Sequence, residues 1–500
     1  MRKPVHYPAK QQPPASARRP VLWLTPRDVQ ATADELIAFH QLFHAVFQRR
    51  EQREWSLVYL CGQLANLHRK TLENIALFFR GADPNAVRGL EQFITQSTWP
   101  SDKMILQHQI LVAAWLGDPL GVVIVDGSGV PKQGQASVGV ARQYCGAVGK
   151  VTNSQEGVFL VYDSPKGNAF LDARLYVHES WFADSARERW HACGIPDDLP
   201  FKTEPNLALE MLTALIQRRQ LPFQWVVNDA HFGEVPTYLD GVAALGKWYF
   251  SEVPCNTRVW LWTPRLEPPG CDAFGKPRPR PRVSRRAAPP RQLQKLVLTL
   301  PRSAWTRYVI KEGSKGPIIA DFAFLRVTTV RDDLPGPRVW AIFRRSLPPT
   351  PELKFYLSNA PARCSWLELV RVCGLRWPVE TTLEEGKDEL GTDQNETRTW
   401  VSWYHHIAHA FMAHLFLTRL RLLFKKKSRA DDRASSSTHC ARTRRRTRGT
   451  AGHPGDRGVS STTQLRHVLF PSSAKTQAKN LIFTWASTDR KLSKSYELSK

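Results

Sequence analysis

Cysteine is scarce in this chain, eight among 500 residues, and no two of them are spaced as CxxC. That argues against a zinc-finger framework or a disulfide-stapled scaffold, and leaves thiols that are reduced and structural. Absent too are GxxxxGK[ST] and GxGxxG, so the loops that cradle phosphates in nucleotide-driven enzymes have no counterpart here. No apolar run approaches the roughly 18 to 20 residues that cross a bilayer. The N-terminal "MRKPVHYPAKQQPPASARRP" has no hydrophobic centre of a signal peptide. A cytoplasmic protein without a membrane partner is the expectation. Negative charge is the other shortage: 45 acidic residues face 70 basic ones, a formal net charge of +25. A surplus spread along the chain points to a polyanionic partner, nucleic acid ahead of a membrane surface.

What is present divides into segments. Residues 1–25 are rich in proline and basic residues, with little to bury, and read as disordered. Apolar residues then recur at helical spacing, as in "ADELIAFHQLFHAVF", so 26–118 reads as an all-helical, DNA-binding N-terminal domain. From 119 the texture changes to strands: "GVVIVD", the hairpin "GVFLVYD" and "AFLDARLYV" around "SPKGN", then "QWVVNDAHFG" and "KWYFSEV". A helix from Thr203 to Gln220 with a threonine cap lies between them. Residues 119–254 and 365–427 are thus two parts of one α/β domain, a mixed sheet with helices on its faces. Between them, 255–364 is a β-rich insertion with runs such as "QKLVLTL", "TRYVIKE" and "IADFAFLRVTTV". Helix returns at "SWLELVRVCGLRW", where Ser365 and Glu368 form a capping box. From 428 to 500 no period survives, as in a solvated basic tail or the product of a frameshift.

The chemistry concentrates in carboxylates. "VVIVDGSGVPKQG" drives Asp126 out of an aliphatic strand into small residues, and "QWVVND" repeats the pattern at Asp229. Either acid alone could be a strand-end turn or a helix cap. On neighbouring strands they would repel unless a cation lay between them, and hard oxygen donors favour Mg²⁺, with Mn²⁺ able to substitute. A third acid is offered by "RWPVETTLEEGKDELG". There Glu380 shares a helical face with Lys387 and with its rival Glu384, Pro378 suits the first turn, and Arg376 precedes it. Other chemistries fail on inspection. Ser128 has Asp126, not glycine, two residues before it, so no nucleophile elbow forms. His405 and His409 stand at i, i+4 spacing without the intervening acid of HExxH, and read as core histidines.

The spacing Arg376, three residues, Glu380, six residues, Lys387, with "IVDGSGVPKQGQASVGVARQYCGAVGKVTNSQEGVFL" and "WVVNDAHFG", resembles insertion-sequence transposases of the DDE superfamily. The likeness, from about Arg50 to Phe424, is to the branch with a Tyr-Arg-Glu-Lys signature and a β-rich insertion, the insertion sequence seven-oh-one group in particular. Cys373 stands at the signature's tyrosine position. The resemblance implies a ribonuclease-H-like core in which Asp126, Asp229 and Glu380 match the metal-binding catalytic triad. It implies cleavage at element ends and strand transfer, on double-stranded DNA carrying terminal inverted repeats and on target DNA, by a homodimer in a synaptic complex. It further implies Arg376 and Lys387 as DNA contacts, and Trp305 as the insertion's base-stacking tryptophan, unless Trp305 packs in its own core. Lys132 is a further candidate for phosphate neutralisation. Two alternatives stay open: a catalytically inactive DNA-binding derivative, and a metal-dependent nuclease without strand transfer.

Overall fold

The computed structural model describes residues 26–271, 277–278, 280–313, 316–349 and 351–442. The expected disordered N-terminus and most of the basic tail lie outside them. Leu42–Arg419 is one compact unit. A second unit contains helix α1 (Pro26–Gln41) and residues 420–442.

The larger unit begins with helices α2 (Arg50–Leu64), α3 (Leu72–Arg80), α4 (Pro84–Thr95) and α5 (Ser101–Leu116). Local chemistry starts two of them. The Thr71 hydroxyl accepts from the Asn74 N–H at 3.3 Å, and the Asp83 carboxylate accepts from Asn85 N–H at 2.9 Å, with Pro84 in the first turn. The buried Lys70 ammonium donates to the carbonyls of Ala65 at 2.8 Å and Glu389 at 2.6 Å, tying these helices to a distant helical turn.

A mixed α/β body follows, built on one 12-stranded sheet. Its first strands are β1 (Val122–Pro131), β2 (Ala141–Cys145), β3 (Lys150–Ser164), β4 (Gly167–Tyr176), β5 (Trp225–Asn228) and β6 (Trp248–Glu252). Helices α6 (Arg187–Ala192), α7 (Glu204–Arg218), α8 (Ala230–Gly233) and α9 (Pro236–Ala244) connect them. At the centre β1, β5 and β6 run parallel, and Val122–Val125 and all of β5 are buried, as helices on both faces demand of a parallel core. The hairpin of β3 and β4 forms where the sequence predicts it, closing at Ser164 and Gly167.

The β-rich stretch contributes β7 (Arg258–Trp260), β8 (Thr306–Gly313), β9 (Gly316–Arg331), β10 (Leu334–Ser346) and β11 (Leu353–Ser358) to that same sheet. The join is antiparallel, Tyr356 to Glu252 and Ser358 to Phe250, giving the order β7-β9-β10-β11-β6-β5-β1-β3-β2, with the two-residue strand Arg291–Gln292 paired on the outer side of β7 and β8 and β4 paired to β9 and β3. Helices α11 (Trp366–Cys373), α12 (Trp377–Glu384) and α13 (Trp400–Arg442) are the last elements of the described residues, with the short α10 (Leu293–Val297) inside the β-rich stretch.

Four local expectations are corrected. "QKLVLTL" is not a strand: Leu293, Leu296 and Val297 are buried at i, i+3 and i+4, and α10 forms. The Thr203 side chain makes no capping bond on α7. Only half of the Ser365 box exists, because the Glu368 carboxylate turns to Arg371 at 2.7 Å and to the Trp225 indole at 3.0 Å. The stretch Trp400–Phe424 is long and apolar enough to span a membrane, against the expectation that no run is, but 67% of its most apolar window is buried inside the protein. Within the larger unit it is a core helix: Trp403, Ile407 and Phe411 join the cluster that holds Phe159 and Phe170. His405 stacks on Trp99 at 3.7 Å and His409 reaches the Ser56 hydroxyl at 3.1 Å, so both histidines serve packing. The helix extends to Arg442, past the point where the sequence loses its period.

Candidate active site

The central parallel strands set the site. Val125 pairs with Asn228, and Asn228 with Ser251, so the next residues, Asp126, Asp229 and Glu252, fall in one row where the parallel pairing of β1, β5 and β6 stops. Neighbouring strands are about 4.8 Å apart. The row is held rigidly. Asn228 is buried, accepting from the Ser251 hydroxyl at 2.8 Å and donating to the Asp229 carbonyl at 2.9 Å. Asp229 also caps α8, accepting from His231 N–H at 3.1 Å and Phe232 N–H at 3.3 Å. Gly233 lets α8 press on β6, for a side-chain carbon there would lie 1.9 Å from the Glu252 carbonyl oxygen.

Asp126 is half-buried, and its carboxyl is pushed up to about 7, first by desolvation and then by the charge of Asp229. Arg376 and the Gly127 N–H, at 2.9 Å, pull it down, and Glu380 pushes it up. Burial likewise raises Asp229. Asp126 therefore feels both of its expected partners. Glu380, in the first turn of α12, binds the Arg376 guanidinium at 2.6 Å, while Glu384 is exposed. Burial works against the Arg376 charge, but Glu380, Glu252, Asp126 and Asp229 outweigh it and raise its pKa. Glu252 lies 3.8 Å from Arg376 and 3.1 Å from Lys354.

Lys387 sits in a π-helical turn, Glu385–Glu389, which interrupts the α-helical register after α12, and its ammonium donates to the Gly129 carbonyl at 3.3 Å. Lys132 turns to the Asn395 carbonyl, near Asp393 and Glu396. Trp305 is half-buried at the start of β8, with the Arg345 guanidinium 4.2 Å over its ring. It is not one of the buried core residues.

The segment after Asp126 is strand, not the loop its glycines suggest: β1 continues to Pro131, paired with β3. Its small residues make room for acids. A side-chain carbon at Gly129 would lie 2.3 Å from the Glu156 carboxylate and 2.7 Å from Cys145 Sγ. Glu156, held by the Ser154 hydroxyl at 2.9 Å, is pushed up to about 7, chiefly by burial. Glu204 opens α7 and pairs with His231 at 3.5 Å, which raises that imidazole to about 9. Sequence reasoning missed Glu156, Glu204 and Glu252. The last was detectable, because "KWYFSEV" repeats the apolar strand ending in an acid.

The chain matches the DDE superfamily endonuclease family over residues 42–317. It belongs to that family. A probable transposase for insertion sequence element IS701 from Microchaete diplosiphon is 24% identical over 369 residues, covering 73% of this chain and 82% of that protein. Among solved structures, the NurA nuclease from Sulfolobus solfataricus aligns over 66% of this chain and 92% of its own at 9% identity, with a TM-score of 0.24, too low to bear on the fold.

In this DDE endonuclease the donors suit a hard divalent cation. They are oxygens that raise one another's proton affinity, so a positive charge between them is stabilising. Among the described residues no three acids, histidines or cysteines are drawn together as a finished metal cage. Arg376 supplies the positive charge instead, bound to Glu380.

Proposed function

We propose that this endonuclease is an insertion-sequence transposase that cuts DNA at element ends and joins them to target DNA. The reading takes Asp126, Asp229 and Glu380 as the acids of a ribonuclease-H-like core that hold Mg²⁺, with Mn²⁺ able to substitute. Its partners are double-stranded terminal inverted repeats and target DNA, engaged by a homodimer in the prokaryotic cytoplasm, at the nucleoid. One observation carries it: acids side by side on two adjacent parallel strands share an electrostatic environment with the Arg376–Glu380 pair.

The bound metal would supply Lewis-acid activation of a water or a DNA 3′-hydroxyl and neutralise the leaving oxygen. The chain's own residues do the rest. The sheet fixes Asp126 and Asp229 against rotation, so geometry is set before substrate arrives. Glu380 would complete the donor set for the cation, and a guanidinium of Arg376 freed from it would be able to bind a phosphate in bidentate fashion. Lys387, anchored on β1 through the Gly129 carbonyl, adds a cation further along that strand, beside Glu156. The net charge of +25 draws the duplex to the surface independently of sequence.

The test is incubation of the purified full chain with Mg²⁺ and DNA bearing its native element ends. Cutting followed by joining is the expected result. Cutting alone would make the protein a nuclease without strand transfer, and binding without reaction would make it an inactive derivative.

A further inference from the structure

Glu252 is the acid of the β1-β5-β6 row that the proposed cation site leaves unused. The run "KWYFSE" leads into it as "QWVVND" leads into Asp229. Its backbone is fixed on both sides, by β5 and by β11, where Tyr356 stands opposite it. The carboxylate is shielded, with the side chain 19% exposed, and each of its oxygens faces a different cation. Oε1 accepts from the Lys354 ammonium of β11 at 3.1 Å, and Oε2 lies 3.8 Å from Nε of Arg376.

Arg376 is divided in turn. Its Nη2 donates to Glu380 at 2.6 Å while Nε faces Glu252. Nε and Nη2 form one edge of the guanidinium, a fork that a single carboxylate can accept whole. Here the fork is split between two acids. Burial opposes the Arg376 charge, and of the carboxylates that sustain it Glu380 counts most and Glu252 next, ahead of Asp126 and Asp229. A shielded guanidinium stripped of its partner is strongly destabilising. A cation that takes Glu380 therefore leaves Arg376 in need of a second acceptor, and Glu252 is already within reach.

We propose, resting on the reading of Asp126, Asp229 and Glu380 as the cation's donors, that Glu252 is a positioning residue: it retains Arg376 when a divalent cation takes Glu380, so the guanidinium changes partners at the site and does not leave it. Held through Nε, the guanidinium keeps its Nη groups beside the acids, open to a phosphate. Lys354, whose other acid is Glu352 at 3.8 Å, sets how much of the Glu252 charge is free to act on Arg376.

Two measurements on the full chain test the exchange. The first is Mn²⁺ affinity by electron paramagnetic resonance, for Glu252→Gln in the wild-type and in the Arg376→Gln background. With Glu252 gone, Arg376 stays on Glu380, so Mn²⁺ binding should weaken roughly fivefold, the upper range for a partly exposed charge pair. Once the guanidinium is gone too, the same substitution should change it by less than about twofold. Equal weakening in both backgrounds would mean that Glu252 acts on the cation directly, and no weakening in either that it does not govern Arg376; both results overturn the proposal. Should Glu252→Gln fail to fold, Lys354→Met serves instead: it frees Oε1 of Glu252, and should tighten Mn²⁺ binding more in the wild-type than in the Arg376→Gln background, an equal shift being the contrary result. The second measurement needs no metal. In EDTA the melting temperature of the Glu252→Gln, Arg376→Gln double variant should fall by less than the sum of the single losses, because each single change breaks the same pair; additive losses contradict the proposal. A wild type that binds no Mn²⁺ would overturn the donor reading and the exchange with it, an outcome distinct from binding that ignores Glu252.

Discussion

At Asp126 the competition between burial and charge has a sign that can be measured. Its carboxyl titrates near 7 in the folded chain against an ordinary value of 3.8. Between those pH values the folded state holds a proton that the unfolded state has lost, so stability falls as pH rises through the window. Glu156 and Asp163, both pushed up to about 7 by burial, act in the same direction. Asp126→Asn should therefore flatten the fall of the melting temperature between pH 4 and 7 in EDTA, by thermal denaturation; identical slopes would show that Asp126 is not protonated there. Arg376 gives the complementary experiment. It is the cation at the site, half-buried between Glu380 and Glu252. Arg376→Gln should lower the melting temperature of the metal-free protein and enlarge the rise that Mg²⁺ produces, since the metal no longer competes with a guanidinium. An unchanged rise would mean that Arg376 and the metal do not share Glu380.

Elements explain which parts of the site were legible. An aliphatic run leading into an acid marks a buried strand, and β1 and β5 do carry Asp126 and Asp229 side by side where their parallel pairing stops. Glu252 obeys the same rule, but its role depends on β6 lying beside β5, a tertiary fact. The continuation of β1 through Gly127 and Gly129 was illegible because glycine has poor strand propensity, and pairing with β3 overrides it. The π-helical turn carrying Lys387 has no spacing signature at all. The room at Gly129 is directly testable. Gly129→Ala would force a methyl against Glu156 and Cys145, costing about 1 to 3 kcal/mol as overpacking does. Calorimetry should show that loss, and combining it with Glu156→Ala should recover much of it. A neutral Gly129→Ala would mean the acids do not crowd β1.

At the scale of the molecule, a single sheet links the catalytic strand ends to the β-rich stretch, since β11 pairs directly with β6 beside Glu252. That continuity was not visible in the sequence, where composition alone makes 255–364 look like a separate insertion. It gives the acids a rigid base where the parallel pairing of β1, β5 and β6 stops. The account's central claim is that acids from residues 126, 229 and 380, far apart in sequence, form one cation site. Mn²⁺ binding measured by electron paramagnetic resonance tests it most directly, on the wild type and on Asp126→Asn, Asp229→Asn and Glu380→Gln. The account predicts that each substitution weakens the same binding event. Full-strength Mn²⁺ binding in Asp229→Asn or Glu380→Gln would contradict it.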